Sequence, residues 1–79
     1  MEVEILDFGF NPQAITVPVD ATITWPNLDP VEHTVTSDTL VFDSSLAFNE
    51  TFSYTFTEPG TYPYHCTIHD FMFGRIIVE

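Results

Sequence analysis

The stretch FSYTFTEPGTYPYHC, residues 52–66, decides the fold class, because aromatic and polar side chains alternate on both sides of a turn. Single serine, threonine or proline residues separate the aromatic residues of each half: Phe52, Tyr54 and Phe56, then Tyr62 and Tyr64. A period of two places the aromatic side chains of each half on one face of a β-strand. The EPG sequence at 58–60 predicts a tight turn between the two strands.

Shorter segments on both sides of this stretch repeat the alternation and predict further strands. They are residues 2–7, 15–19, 22–25, 32–37 and 74–79. Residues 8–12, FGFNP, predict a turn after the first strand. The segment 38–46 is polar and irregular and predicts a loop, and no segment shows a convincing helical period. About seven short strands with glycine and proline turns predict an all-β sandwich or small barrel. We expect residues 1–79 to form a single domain.

Composition and charge exclude several classes of function. Lys and Arg total 1 while Asp and Glu total 12, so the formal net charge is −11. This argues against nucleic acid as a partner, because phosphate binding needs clustered basic residues. No apolar run approaches the roughly 20 residues of a membrane helix, so no direct membrane insertion is expected. The single cysteine, Cys66, leaves no disulfide to stabilise so small a core.

Four side chains that can bind a soft metal stand out. Cys66, His69 and Met72 follow one another at intervals of three residues, and His33 begins a predicted strand far upstream. Two imidazoles and one thiolate with a weak axial thioether are typical of a blue-copper electron-transfer site. By strand parity Cys66 points inward with Tyr64, whereas His65 points to the other side and is a poor ligand candidate.

Three other interpretations compete with copper. Structural zinc is the main rival, although such sites prefer two or more cysteines. A catalytic Cys–His pair is a weaker rival, because no predicted helix supplies an oxyanion hole. Each residue taken singly is more simply explained by packing, since lone cysteines and methionines usually fill cores. It is the combination of the four residues that indicates a metal site.

The whole chain resembles a cupredoxin of the plastocyanin and amicyanin group, the small type 1 blue-copper proteins. The motifs that carry the resemblance are FNP at 10–12, TITW at 22–25, HTV at 33–35 and FTEPGTYPYHCTIHDFM at 56–72. The two-residue gap between His69 and Met72 is the spacing of amicyanins. The resemblance implies a Greek-key β-sandwich that binds one copper ion per chain at one end.

The resemblance also implies a role for each site residue. His33, Cys66 and His69 are the expected equatorial ligands, Met72 the axial ligand, and His69 the ligand that faces solvent. Thr34 and Thr67 are expected to tie the thiolate loop to the neighbouring strand. The chain departs from the family at three positions. The family commonly has proline or another neutral residue at the position of Glu32 and proline at that of Asp70, and amicyanins often have proline at the position of Ile68. We therefore expect Glu32 and Asp70 to form a polar rim around the metal opening.

The implied function is that of a small, monomeric one-electron carrier rather than an enzyme. Its acidic surface suits a redox partner protein with a basic patch. An alternative is a copper oxidoreductase acting on a small neutral molecule such as nitric oxide at an open, polar-rimmed site. Copper storage or delivery is a third possibility, which a single cysteine with one useful methionine does not favour. We expect an extracytoplasmic location, periplasmic or at the cell surface, with this chain a mature domain lacking its export signal.

Overall fold

The computed structural model describes residues 1–79 and contains nine strands and no helix, hence no helix that could span a membrane. In chain order the strands are β1 (Glu4–Leu6), β2 (Gly9–Asn11), β3 (Ala14–Val17), β4 (Thr22–Pro26), β5 (His33–Ser37), β6 (Asp43–Leu46), β7 (Thr51–Thr55), β8 (Gly60–His65) and β9 (Phe73–Val78). The segment that alternates most clearly, residues 52–66, supplies β7, the turn after it and β8.

The strands form two layers. One is a five-stranded sheet in the order β3-β9-β8-β5-β6, in which only the β3–β9 pair is parallel. The other contains the antiparallel pairs β1-β2 and β4-β7, which parallel bridges from Glu2 to Thr24 and from Ile5 to Asn27 join edge to edge. The predicted all-β sandwich of the cupredoxin type is confirmed, with nine strands rather than about seven.

The two additional strands fall where the sequence predicted turns and a loop. β6 lies within residues 38–46 and has the polar sequence DSSL, yet it pairs with β5 along four residues at the edge of the sheet. Edge strands expose one side to water and need little apolar patterning. β2 forms a hairpin with β1 across a two-residue turn, Asp7 and Phe8, which both have positive φ angles.

Aromatic side chains fill the space between the layers. Trp25 is fully buried at the centre, stacked on Phe52 at 5.6 Å between ring centroids and edge-on to Tyr64 at 5.5 Å. The alternation along each strand puts these rings on inner faces, as the sequence predicted. β5 is buried along its whole length because it runs between β6 and β8. This gives the sandwich a rigid strand on which one metal-ligand candidate, His33, is mounted.

Candidate metal centre

Three predicted ligands converge at one end of the sandwich. The potential ligand atoms of His33, Cys66 and His69 all lie within 4.8 Å of one another. Cys66 Sγ is 3.8 Å from His33 Nδ1 and 3.9 Å from His69 Nδ1. His33 and Cys66 are fully buried and His69 is partly exposed. The cluster therefore opens to solvent on the His69 side.

The spacing of these atoms fits a trigonal metal ion. A first-row metal bound about 2.0 Å from nitrogen and about 2.3 Å from sulfur would hold those atoms about 3.7 Å apart in a trigonal plane. The N–S distances of 3.8 and 3.9 Å in the cluster are close to that value. One thiolate with two imidazoles is also the donor set that suits copper. The residues present therefore fit a copper ion.

The strands and the loop after β8 bring the ligands together. His33 is the first residue of β5 and Cys66 follows the last residue of β8, and these strands are neighbours in the sheet. The loop 66–72 closes on itself through two backbone hydrogen bonds, from Cys66 N to Met72 O and from Met72 N to His69 O, both 3.1 Å. This closure places Met72 in the core, 2% exposed.

Thr34 and Thr67 connect β5 to the start of the loop that carries Cys66. The backbone N–H of Thr34 donates to Cys66 Sγ at 3.4 Å, and the N–H of Thr67 donates to Thr34 Oγ1 at 2.8 Å. The two threonine hydroxyls lie 3.2 Å apart. A thiolate that accepts a backbone hydrogen bond is held in place and loses part of its charge density to the donor.

Asp29 is a site residue that sequence reasoning missed. Its carboxylate lies 2.7 Å from His33 Nε2, on the side of the ring remote from Cys66. Burial raises the pKa of the Asp29 carboxyl, but hydrogen bonds from Phe8, His33 and Asp7 outweigh burial, so its pKa lies below the ordinary value. A signal existed in the sequence, an aspartate four residues before the histidine, but that spacing indicates contact only in helices.

Aromatic rings pack against the exposed side of the cluster. Phe8 meets the rings of His33 and His69 edge-on, at centroid distances of 5.5 and 5.0 Å. The centroid of the Phe71 ring lies 6.2 Å from that of His69, and Phe71 is 62% exposed. Phe8, Ile68 and Phe71, together with Phe73, are all exposed apolar residues near the loop that carries His69. We call these four residues the apolar rim.

The remaining predicted residues lie on the surface. Glu32 and Asp70 are both exposed, each adjacent in sequence to a predicted ligand, and neither forms an ion pair. His65 points away from the cluster, as strand parity predicted, and its Nδ1 lies 2.6 Å from Asp38 Oδ1. Both side chains of that pair are substantially exposed. The structure thus places His69 in the cluster and His65, the last residue of β8, outside it.

This chain is similar to known proteins over nearly its whole length. A family model described as a cupredoxin-like domain matches residues 1–78. The amicyanin of Paracoccus denitrificans is 34% identical over 83 residues, covering 98% of this chain, which spans 63% of that protein's length. A reduced Cu(I) form of an amicyanin variant superposes with a TM-score of 0.91 at 34% identity, covering all of this chain and 81% of the other.

A second type of solved structure matches over nearly its whole length. A purple cupredoxin from Nitrosopumilus maritimus has a TM-score of 0.91 and 27% identity, and covers 99% of this chain and 98% of its own. The copper cofactor expected from the sequence is confirmed by the family and by the His–Cys–His group. The match along residues 1–78 and the identity with amicyanins show that this chain belongs to the cupredoxin-like family.

Proposed function

We propose that this chain is a small one-electron carrier whose single copper ion cycles between Cu(II) and Cu(I). The observation that carries the proposal is the convergence of His33 Nδ1, Cys66 Sγ and His69 Nδ1 at trigonal spacing. Similarity to amicyanins supports the carrier over the alternative of an oxidoreductase acting on a small neutral molecule. Bound copper supplies the redox chemistry, and the protein supplies ligands that stay in place in both oxidation states.

In this proposal His33, Cys66 and His69 are the equatorial ligands and Met72 is the axial one. The buried position of Met72 and its backbone hydrogen bond to His69 support that assignment. His33 is mounted on β5, and Cys66, His69 and Met72 belong to a loop that its own backbone hydrogen bonds close. Ligands held in this way move little when the charge of the metal changes, which favours fast electron transfer.

Electrons enter and leave through His69, the only partly exposed member of the cluster. The apolar rim gives a redox partner a surface from which water is readily displaced at that point. The −11 net charge favours a partner protein with a basic patch, because opposite charges accelerate the encounter. Glu32 and Asp70 add two carboxylates beside the ligands, and the chain acts as a monomer.

The similarity to amicyanins supports an extracytoplasmic location for the protein to which this chain belongs. The single cysteine is compatible with that location, since a metal-bound thiolate is protected from the oxidation that a free exposed thiol would undergo.

Copper titration of the apoprotein tests the proposed function. Adding Cu(II) should produce an intense visible thiolate-to-copper band that saturates at one ion per chain. Cys66→Ser should abolish the band, because a hydroxyl cannot replace the covalent sulfur. His69→Ala should change it, whereas His65→Ala, which removes the adjacent histidine outside the cluster, should leave it intact. A Cys66→Ser variant that keeps the band would overturn the proposal.

A further inference from the structure

One buried carboxylate connects the metal cluster to the turn that covers it. Asp29 is 4% exposed, and its carboxylate has three hydrogen-bond partners from two parts of the chain. Its Oδ2 lies 2.7 Å from His33 Nε2 and accepts from Phe8 N at 2.9 Å, while its Oδ1 accepts from Asp7 N at 2.8 Å. An ionised carboxylate can only accept hydrogen bonds. With an ionised Asp29, the contact with His33 is a hydrogen bond only if Nε2 carries the proton.

This proton position decides which nitrogen of His33 can bind a metal. A neutral imidazole carries its proton on one nitrogen only and keeps a lone pair on the other. With Nε2 protonated, the lone pair of His33 is on Nδ1, the atom that lies 3.8 Å from Cys66 Sγ. The contact with Asp29 thus holds the imidazole in the form that can bind a metal within the cluster before any metal arrives.

The same carboxylate stabilises an unfavourable turn. Asp7 and Phe8 have φ angles of 53° and 57°, in the left-handed region that is unfavourable for a residue with a Cβ. Both of their N–H groups donate to Asp29. This turn places the Phe8 ring edge-on to both His33 and His69. Asp29 therefore positions the Phe8 ring, which covers the two imidazoles, and also contacts the His33 imidazole directly.

Asp29 is itself fixed by a buried amide. Its backbone N–H donates to Asn27 Oδ1 at 3.0 Å. Asn27, which is fully buried, donates in turn to the carbonyls of Val31 at 3.0 Å and Leu46 at 2.9 Å. The loop between β4 and β5 is thus braced from within and anchored to β6. The carboxylate is presented to His33 by a structure with little freedom to move.

From these contacts we propose that Asp29 is a positioning residue of the metal centre, which selects the Nδ1-binding tautomer of His33 and strengthens its donor nitrogen. The proposal rests on the function proposed above. A carboxylate that accepts from the remote N–H makes an imidazole more basic. Its negative charge also stabilises Cu(II) more than Cu(I), since the interaction energy scales with the charge of the ion. Asp29 accordingly lowers the reduction potential.

A measurement on the wild-type apoprotein tests the tautomer without any substitution. Long-range proton–nitrogen NMR correlations of the histidine rings distinguish protonated Nδ1 from protonated Nε2. His33 should carry its proton on Nε2. His65, whose Nδ1 faces Asp38, serves as an internal reference of the opposite kind, protonated at Nδ1. A His33 ring that carries its only proton on Nδ1 would overturn the proposal, whatever the copper experiments give.

Replacing the carboxylate tests its effect on the metal. Asp29→Asn should weaken Cu(II) binding by about 10–100-fold, the usual cost of removing such a partner, and weaken Cu(I) binding less. Each tenfold loss of Cu(II) affinity relative to Cu(I) affinity raises the reduction potential by about 59 mV for one electron. Asp38→Asn is the matched control, because it removes the same charge from another Asp–His pair that lies outside the cluster. It should leave the affinity ratio nearly unchanged.

The outcomes separate a positioning role from a structural one. If Asp29→Asn only lowers the melting temperature, with the affinity ratio and the tautomer of His33 unchanged, Asp29 merely braces the turn and the proposal is wrong. If the Cu(II)/Cu(I) affinity ratio changes no more in Asp29→Asn than in Asp38→Asn, the loss of net charge alone explains the change. That result would also contradict the proposal. If the wild type gives no thiolate band with copper, the proposed function fails, while the apoprotein tautomer still decides the role of Asp29.

Discussion

The hydroxyl of Thr34 accepts a hydrogen bond from the backbone N–H of Thr67 at 2.8 Å, across 33 residues of sequence. The same threonine uses its own N–H to donate to Cys66 Sγ at 3.4 Å. Thr34 thus contacts the thiolate with its backbone and the residue after the thiolate with its side chain. One residue of β5 thereby fixes the start of the loop that carries Cys66 and His69.

Thr34→Val should destabilise the apoprotein, because valine keeps the shape but removes the acceptor for Thr67 N–H. A part-buried donor left without its partner costs about 1–3 kcal/mol, measured as a lower urea midpoint at unchanged slope. The band of the copper-loaded protein should persist, since Thr34 N–H remains. Thr24→Val is the control: its hydroxyl bonds Ser53 in an exposed position, and its loss should cost under about 0.5 kcal/mol. Equal losses in the two variants would contradict the special role of Thr34.

The strands could be predicted wherever apolar and polar side chains alternate. The prediction failed for the polar edge strand β6, because an edge strand does not need that alternation. β7 and β8 follow from their aromatic alternation because both bury one face against Trp25 and its neighbours. The four residues of β6 give no such signal, because the strand is specified by its pairing with β5 rather than by its own pattern. Such long-range pairing is not encoded in any local window.

The candidate ligands could be predicted because copper chemistry requires rare residue types, and the supporting residues could not. One cysteine and three histidines leave few combinations, and strand parity alone removed His65. Asp29 is one of 12 acidic residues and contacts His33 only because the loop between β4 and β5 folds back. Phe8 was predicted as part of a turn, and its packing on two imidazoles depends on the β1–β2 hairpin.

Met72→Leu tests the axial assignment. Met72 is 2% exposed, and exchange for leucine conserves its volume, so the cost in stability should stay below about 1.5 kcal/mol. Removal of a weak thioether donor should leave the thiolate band in place and raise the reduction potential, which the axial ligand tunes. Voltammetry on the copper-loaded protein measures this. Met1→Leu is the control, since the only other methionine is 61% exposed and should not affect the potential. An unchanged or lowered potential in Met72→Leu would show that Met72 is not axial.

Gly74→Ala should be strongly destabilising because the strand β9 touches the buried ring of Tyr64 at this position. A Cβ on Gly74 would lie 2.7 Å from the Tyr64 hydroxyl and 2.9 Å from the carbonyl oxygen of Gln13. Burial raises the pKa of Tyr64 to about 12, so this hydroxyl stays neutral in the core. Overpacking of this kind costs about 1–3 kcal/mol in unfolding free energy.

Two further variants check the cause of this effect. At Gly9 the nearest atom to an added Cβ is the Leu6 carbonyl oxygen at 3.6 Å, so Gly9→Ala should be tolerated. Tyr64→Phe removes a buried hydroxyl that has no hydrogen-bond partner and should be neutral or stabilising. Combined with Gly74→Ala, it should recover part of the lost stability. A double variant no more stable than Gly74→Ala alone would place the strain at the Gln13 carbonyl instead.

Two pairs of carboxylates at opposite ends of the sandwich provide a test of whether electrons enter and leave through His69. Glu32 and Asp70 are adjacent in sequence to His33 and His69. Glu58 precedes β8 at its other end, and Glu79 follows β9 at that same end, since Gly60 pairs with Val78. All four carboxylates are exposed. Neutralising either pair therefore changes the net charge equally and differs only in distance from the cluster.

If electrons pass through His69, the double variant Glu32→Gln with Asp70→Asn should slow oxidation of the Cu(I) protein by a small cationic complex and accelerate oxidation by an anionic one. At about 10 Å in water the interaction energy of each carboxylate with a unit charge is about 0.4 kcal/mol, which changes the rate about twofold. Glu58→Gln with Glu79→Gln should have a much smaller effect in stopped-flow mixing at low ionic strength. Both effects should vanish near 1 M salt, where the Debye length falls to about 3 Å. Equal effects of the two pairs would mean that net charge alone controls the encounter. A larger effect of Glu58 and Glu79 would mean that electrons do not pass through His69.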